Sequence, residues 1–213
     1  MHKKKRWIII LLLIIIVASL LLYFLVIKNQ ATDAKVLDTI EKFGYHLEDR
    51  DTFVMKENFN KLKEILSADN IDYENYASTL SKIFIIDLYT MSNKLGKYDV
   101  GGVEYIYQAH QENYIINVQN TLYKYMENES LREDEMPEVS SIKVESINEQ
   151  TYTYQEIEYP AYAVSLSWEY KKDLGYEKTA KITVINIDDK LYISEVTSSE
   201  DSQWKDLWEN LKR

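Results

Sequence analysis

Any chemistry in this 213-residue chain has to come from carboxylates and hydroxyls. There is no cysteine, so there is no thiol nucleophile, no thiolate metal ligand and no disulfide. His46 and His110 are the only histidines beyond the N-terminal segment, and neither falls in a His-Glu-x-x-His or similar metal-ligand spacing. No Gly-x-Ser-x-Gly, phosphate loop or dinucleotide fingerprint occurs, and five scattered glycines leave little room for one. What remains is 35 acidic residues. Paired carboxylates are the one hydrolytic device that needs no local motif, because one protonates the leaving group while the other attacks or activates water. Nothing in the spacing places such a pair. The expectation is a protein that is not an enzyme and holds no cofactor and no metal.

The candidate contact residues are therefore binding residues. Asp99-Val100-Gly101-Gly102 is the most unusual local stretch. Asp99, Gly101 and Gly102 fit a backbone loop that approaches a ligand or partner, or else a tight turn with positive φ. Tyr152, Tyr154, Tyr159, Tyr162, Trp168, Tyr170 and Tyr176 could line a groove for a peptide or glycan, since such rings pair large contact area with a polar tip. The same residue types also suit a half-buried sheet surface. In the tail, residues 199–213, Trp204, Leu207, Trp208 and Leu211 share one stripe of an amphipathic helix that docks a partner, meets a membrane or folds back. The charged run Glu127–Glu138 does not have the ligand spacing of a calcium loop and reads as a linker.

The elements that must position these residues fall into two halves, 35–128 helical and 139–198 strand. Val36, Leu37, Ile40 and Phe43 recur with helical spacing before Gly44. Met55, Phe59, Leu62 and Leu66 form a second stripe after Asp51. Asp72 is the N-cap of a third helix carrying Tyr76, Leu80, Ile83, Phe84, Leu88 and Met91. A fourth is expected over Gln111–Glu127. In the second half, Tyr162, Val164, Leu166, Trp168 and Tyr170 alternate with smaller residues, the clearest strand signal in the chain. Lys178–Ile187 and Lys190–Thr197 follow, with turns at Asp173-Leu174-Gly175 and Asp188-Asp189. Ser140–Ile147 and Thr151–Ile157 are an earlier pair, separated from the long strand by Pro160. The fold class expected is α+β: a transmembrane helix, then about four helices packed on an antiparallel sheet of about five strands.

The transmembrane segment is Trp7–Ile27, WIIILLLIIIVASLLLYFLVI, without charge, proline or glycine. At the helical rise it reaches about 31 Å, enough for the hydrocarbon core. Trp7 and Tyr23 lie near its ends, with Ile16 and Leu22 inside and Ile27 closing it. Lys3, Lys4, Lys5 and Arg6 precede it, which places residues 1–6 in the cytoplasm and the domain after the short tether 28–34 outside. A cleaved secretory signal is the rival, but the run is long and ends in Phe24-Leu25-Val26-Ile27-Lys28 with no small-x-small site. The expected location is the cell membrane, single-pass, with an extracytoplasmic C-terminal domain.

The net charge of −10 includes four positive and no negative charges in residues 1–27, which leaves −14 for residues 28–213. Such a surface repels phosphate backbones, so nucleic acid is not an expected partner. It tolerates cations, basic peptides or a positively charged wall polymer. Helices followed by an antiparallel sheet resemble the NTF2-like fold, and a short tail, one span and such a domain resemble the layout of scaffold subunits of bacterial conjugation and type IV secretion machines. That resemblance implies an assembly scaffold with protein partners or wall components, and a homo-oligomer. The leading expectation is a non-catalytic envelope binding protein. The alternative is a small-ligand or sensory domain with a pocket between helices and sheet, and the third is a carboxylate-pair hydrolase.

Overall fold

Two side-chain caps start the two long helices. Thr52 Oγ1 accepts the Met55 N–H at 3.3 Å and opens α1 (Phe53–Leu66); Asp72 Oδ1 accepts the Asn75 N–H at 3.0 Å and opens α2 (Tyr73–Tyr89). The computed structural model describes Trp7, Ile16, Val17, Ser19 and residues 34–197. The chain divides into two units, Met1–Lys35 and Val36–Arg213. In the second unit the described elements run β1 (Val36–Ile40), β2 (Tyr45–Glu48), α1, α2, α3 (Gln111–Asn120), β3 (Val139–Tyr154), β4 (Ile157–Tyr170), β5 (Thr179–Ile187) and β6 (Lys190–Thr197). Short 3-10 turns lie at Val103–Tyr105, Gln108–His110 and Glu129–Leu131.

The strands form two sheets. β1 and β2 are a separate antiparallel hairpin, and the other four follow the order β3-β4-β5-β6, all antiparallel. One face of the larger sheet packs on the helices. Val164, Leu166, Trp168, Ile182, Val184, Ile193 and Val196 are buried in one core with Leu80, Ile83, Phe84, Leu88 and Tyr89 of α2. The rings of Tyr89 and Trp168 sit 5.0 Å apart across that interface. Each such buried side chain is worth about 1.5–3 kcal/mol relative to exposure. β2 is stitched in by polar contacts as well. Tyr45 and Tyr76 share a hydroxyl–hydroxyl bond of 2.7 Å, and Tyr45 also donates to the Leu191 carbonyl of β6 at 3.2 Å.

Several expectations are corrected here. The membrane-spanning helix comes first: no helix among the described residues is long and apolar enough to cross a membrane. Of Trp7–Ile27, only Trp7, Ile16, Val17 and Ser19 are described, all helical. Leu22, Tyr23 and Ile27, and Lys3, Lys4, Lys5 and Arg6, lie outside the described residues. The membrane, single-pass and signal-anchor description is corrected with it.

The described helices and sheet also differ: among the described residues there are three α-helices, with strands split two and four. The helix expected from Val36 to Phe43 is the β1–β2 hairpin. Val36 and Leu37 are exposed while Phe43, Tyr45 and Leu47 are buried. A short apolar run fits either period, and β-branched Val36, Thr39 and Ile40 paired with Tyr45–Glu48 favour the strand. Gly44, at φ +64°, completes the turn instead of stopping a helix.

The fourth helix ends at Asn120, short of Glu127. Thr121 Oγ1 bonds back to the Asn117 carbonyl at 2.7 Å, and its backbone leaves helical space. β3 is one strand where two were expected. The chain reverses at Gln155-Glu156, with φ of 49° and 66°, not at Asn148–Gln150. Pro160 does not break β4, because it faces Thr151 where β4 has no β5 partner; the β4–β5 ladder begins at Ala161. β6 covers Lys190–Thr197 as expected, and the Asp188-Asp189 and Gly175 turns adopt positive φ.

Candidate functional site

At the end of the helices away from the α2 N-terminus, a cleft of about 300 Å3 opens, lined mainly by ionisable side chains, with Met55, Val100, Val103 and Gln111 completing it. β2 and the connection to α1 supply His46, Glu48, Arg50 and Asp51. The C-terminal turns of α2 supply Asp87. The segment after it supplies Lys94, Asp99, Glu104 and Tyr105. Five carboxylates thus face two permanent cations, an excess of three negative charges when all are ionised.

Three of the carboxylates are committed. Arg50 grips Asp99 with both terminal nitrogens, at 2.5 and 3.1 Å, and donates from Nε to Glu48 at 2.8 Å. Burial opposes the Arg50 charge, but these bonds outweigh it and hold the guanidinium firmly protonated. Asp99 Oδ2 also takes the Leu95 N–H at 2.8 Å, which closes the loop on itself. Lys94 is only 4 % exposed and donates to Asp87 Oδ1 at 2.5 Å, while Asp87 Oδ2 accepts the Gly102 N–H at 2.6 Å. Burial would lower the Lys94 pKa, yet Asp87, with Asp99 and Asp51 beyond it, raises it.

Asp51 and Glu104 are different. Asp51 accepts one backbone N–H, from Glu48 at 2.7 Å, and has no lysine or arginine bonded to it among the described residues. Burial, with added repulsion from Asp87 and Glu48, pushes its carboxyl up to about 6. Glu104 takes the His46 N–H at 3.1 Å and His46 Nδ1 at 3.0 Å. Burial raises its pKa despite those bonds. Carboxyls held above their ordinary pKa in a cleft make Asp51 and Glu104 the candidate binding or acid–base groups here. Acid–base chemistry in the cleft would have to use these two, because Asp87 and Asp99 have their lone pairs committed to cations and amides.

The Asp99 loop is where the sequence pointed, and Asp99 does line the cleft. Its glycines, however, serve packing. A Cβ on Gly101 would lie 2.2 Å from the Asp87 carbonyl oxygen, so the loop can press on α2 only without a side chain. Gly102 takes φ +81° and its amide reaches Asp87. Tyr162, Trp168 and Tyr170 are not brought to the cleft. Trp168 and Tyr170 are buried in the core, and Tyr162 packs partly against it. Among the described residues these side chains pack the interface between α2 and the sheet. Trp204 and Trp208 lie outside the described residues.

Glu48, Arg50, Asp51, Asp87, Lys94 and Glu104 were not legible as a site, since they are far apart in the chain and match no motif. One signal was present: Asp87 is a lone carboxylate inside the apolar run Ile83–Tyr89, and a charge on a buried helix needs a partner. Compared with protein-family models, curated proteins and solved structures, the chain matches none.

Proposed function

We propose that residues 36–197 form a non-catalytic binding domain, displayed outside the cytoplasm, that engages a protein partner or wall component by seating a cationic group in the acidic cleft. The observation that carries this reading is the state of Asp51 and Glu104. Both carboxylates are half-buried, and among the described residues neither is bonded to a lysine or arginine. A lysine ammonium or arginine guanidinium placed against them relieves the cost of their burial and gains charge-assisted hydrogen bonds.

Calorimetric titration of the full chain with an oligolysine peptide tests the cleft. Binding is expected to tighten from pH 5 to pH 8, to weaken with salt, and to fall about tenfold or more in Asp51→Asn/Glu104→Gln. Equal affinity in that double variant sinks the reading. Protease added to intact cells is expected to reach the domain, and full protection there overturns its placement outside the cytoplasm.

A further inference from the structure

β3 is 16 residues long, against a usual strand of about 5–6. It is also an edge strand: β4 pairs with one side, and among the described residues nothing pairs with the other. Long edges are normally blunted by lysine, proline or bulges. The bulges of β3 fall at Val139/Ser141 and Val144/Ser146, and Lys143 lies between them. Beyond that point the edge is unguarded. From Ser146 to Tyr154 the strand runs without a bulge, a proline or a lysine, and Glu149 is its one charge.

This stretch is presented rigidly. Beyond Ala161 the β3–β4 ladder projects past β5 as a two-stranded arm closed by the Gln155-Glu156 turn. The arm is pinned back by a 2.8 Å bond between Tyr154 Oη and His110 Nε2, with the two rings 5.4 Å apart. A two-residue turn with both centres left-handed makes Tyr154 and Ile157 a hydrogen-bonded pair. The ladder then alternates, so the main-chain groups of Glu149, Thr151 and Thr153 point away from β4. Pro160, opposite Thr151, fits this alternation, since it has no N–H to offer at a non-bonded position.

We propose that this edge pairs antiparallel with the same edge of a second copy of the chain, about a two-fold axis at Thr151. The segment is complementary to itself in that register. Thr151 meets Thr151, Glu149 meets Thr153 and Gln150 meets Tyr152, so no like charges face each other. A second copy also brings its strand already extended and ordered, whereas a foreign peptide has to lose backbone conformational entropy at every residue it pairs. The contact is isologous and closes as a dimer. It is independent of the cleft, and the two respond oppositely to salt: added salt screens the repulsion between two chains of net charge −10 and strengthens self-association.

Light scattering and sedimentation of the full chain test the proposal, with cysteine variants made on a background that has none. The expected result is a doubling of mass with concentration, promoted by salt. Thr151→Cys is expected to form a disulfide dimer under mild oxidation, while Lys143→Cys, beyond the paired stretch, stays monomeric. Thr151→Pro removes only an outward N–H, and Thr151→Lys places two ammonium groups across the axis; each is expected to weaken association about tenfold with an unchanged circular dichroism spectrum. A single mass at all concentrations overturns the proposal and leaves the edge to a foreign strand. A dimer that survives both Thr151 variants, or that crosslinks equally at Lys143→Cys, overturns it as well.

Discussion

Lys94 Nζ lies 2.5 Å from Asp87 Oδ1, and the lysine side chain is 5 % exposed while the aspartate is 17 % exposed. This buried pair joins the C-terminal turns of α2 to the loop that carries Asp99, and the Gly102 amide completes it. Breaking one side of such a pair strands a charge away from water. Lys94→Met is expected to destabilise the domain by about 3 kcal/mol, read as a lower urea midpoint. In Lys94→Met/Asp87→Leu much of that loss returns, because the stranded charge is gone. A double variant as unstable as the single one would show that the pair contributes through shape and not charge.

Asp51 sets a pH dependence of unusual sign for a carboxylate. Its folded pKa of about 6 lies above the ordinary 3.8. The protonated form is favoured in the folded state, so its contribution is fully present below about pH 4 and is lost as the pH rises through 6. Asp51→Asn is therefore expected to stabilise the chain at pH 7–8, by on the order of 2–3 kcal/mol at most, and to change little at pH 4. Thermal unfolding of both proteins across pH 4–8 measures the difference. An Asn variant equally stable at every pH would remove the basis for a cation-seeking cleft.

The two kinds of glycine should respond differently to alanine. Gly101→Ala drives a Cβ into the Asp87 carbonyl and is expected to cost about 2–3 kcal/mol and to disturb the Arg50–Asp99 bonds. Gly175→Ala meets open space, and only its φ of +80° opposes it, for about 1–2 kcal/mol. Denaturant unfolding of the two variants, with amide spectra of residues 95–102, separates backbone clash from dihedral strain.

The Tyr154–His110 bond holds the β3–β4 arm. Tyr154→Phe keeps the ring contact and removes the hydroxyl. Amide exchange over 148–160 is expected to accelerate severalfold, while global stability falls by no more than about 1 kcal/mol. Unchanged exchange would show that the strand ladder alone keeps the arm rigid.

The elements that could be read in advance are those whose signal is local. The Phe53–Leu66 and Tyr73–Tyr89 helices carry a cap and an apolar stripe, the 162–170 strand alternates large apolar with smaller residues, and turn residues separate it from the 179–187 and 190–197 strands. Residues 36–48 carry a spacing that two secondary structures satisfy, and only the pairing of Val36–Ile40 with Tyr45–Glu48 chooses the hairpin. Gln155 and Glu156 are poor left-handed residues, so nothing local announced the turn that makes β3 a single long strand.

Residue types and their order along the chain determined the α+β class, the Asp72 cap and the acidity. Tertiary structure alone decided which carboxylates matter. In the cleft, Asp51 and Glu104 are half-buried by distant segments without a bonded lysine or arginine among the described residues, while Asp87 and Asp99 receive Lys94 and Arg50. Burial and pairing are sums over neighbours in space, and residues 46–51, 87–94 and 99–105 become neighbours only when the hairpin, the end of α2 and the glycine loop pack together.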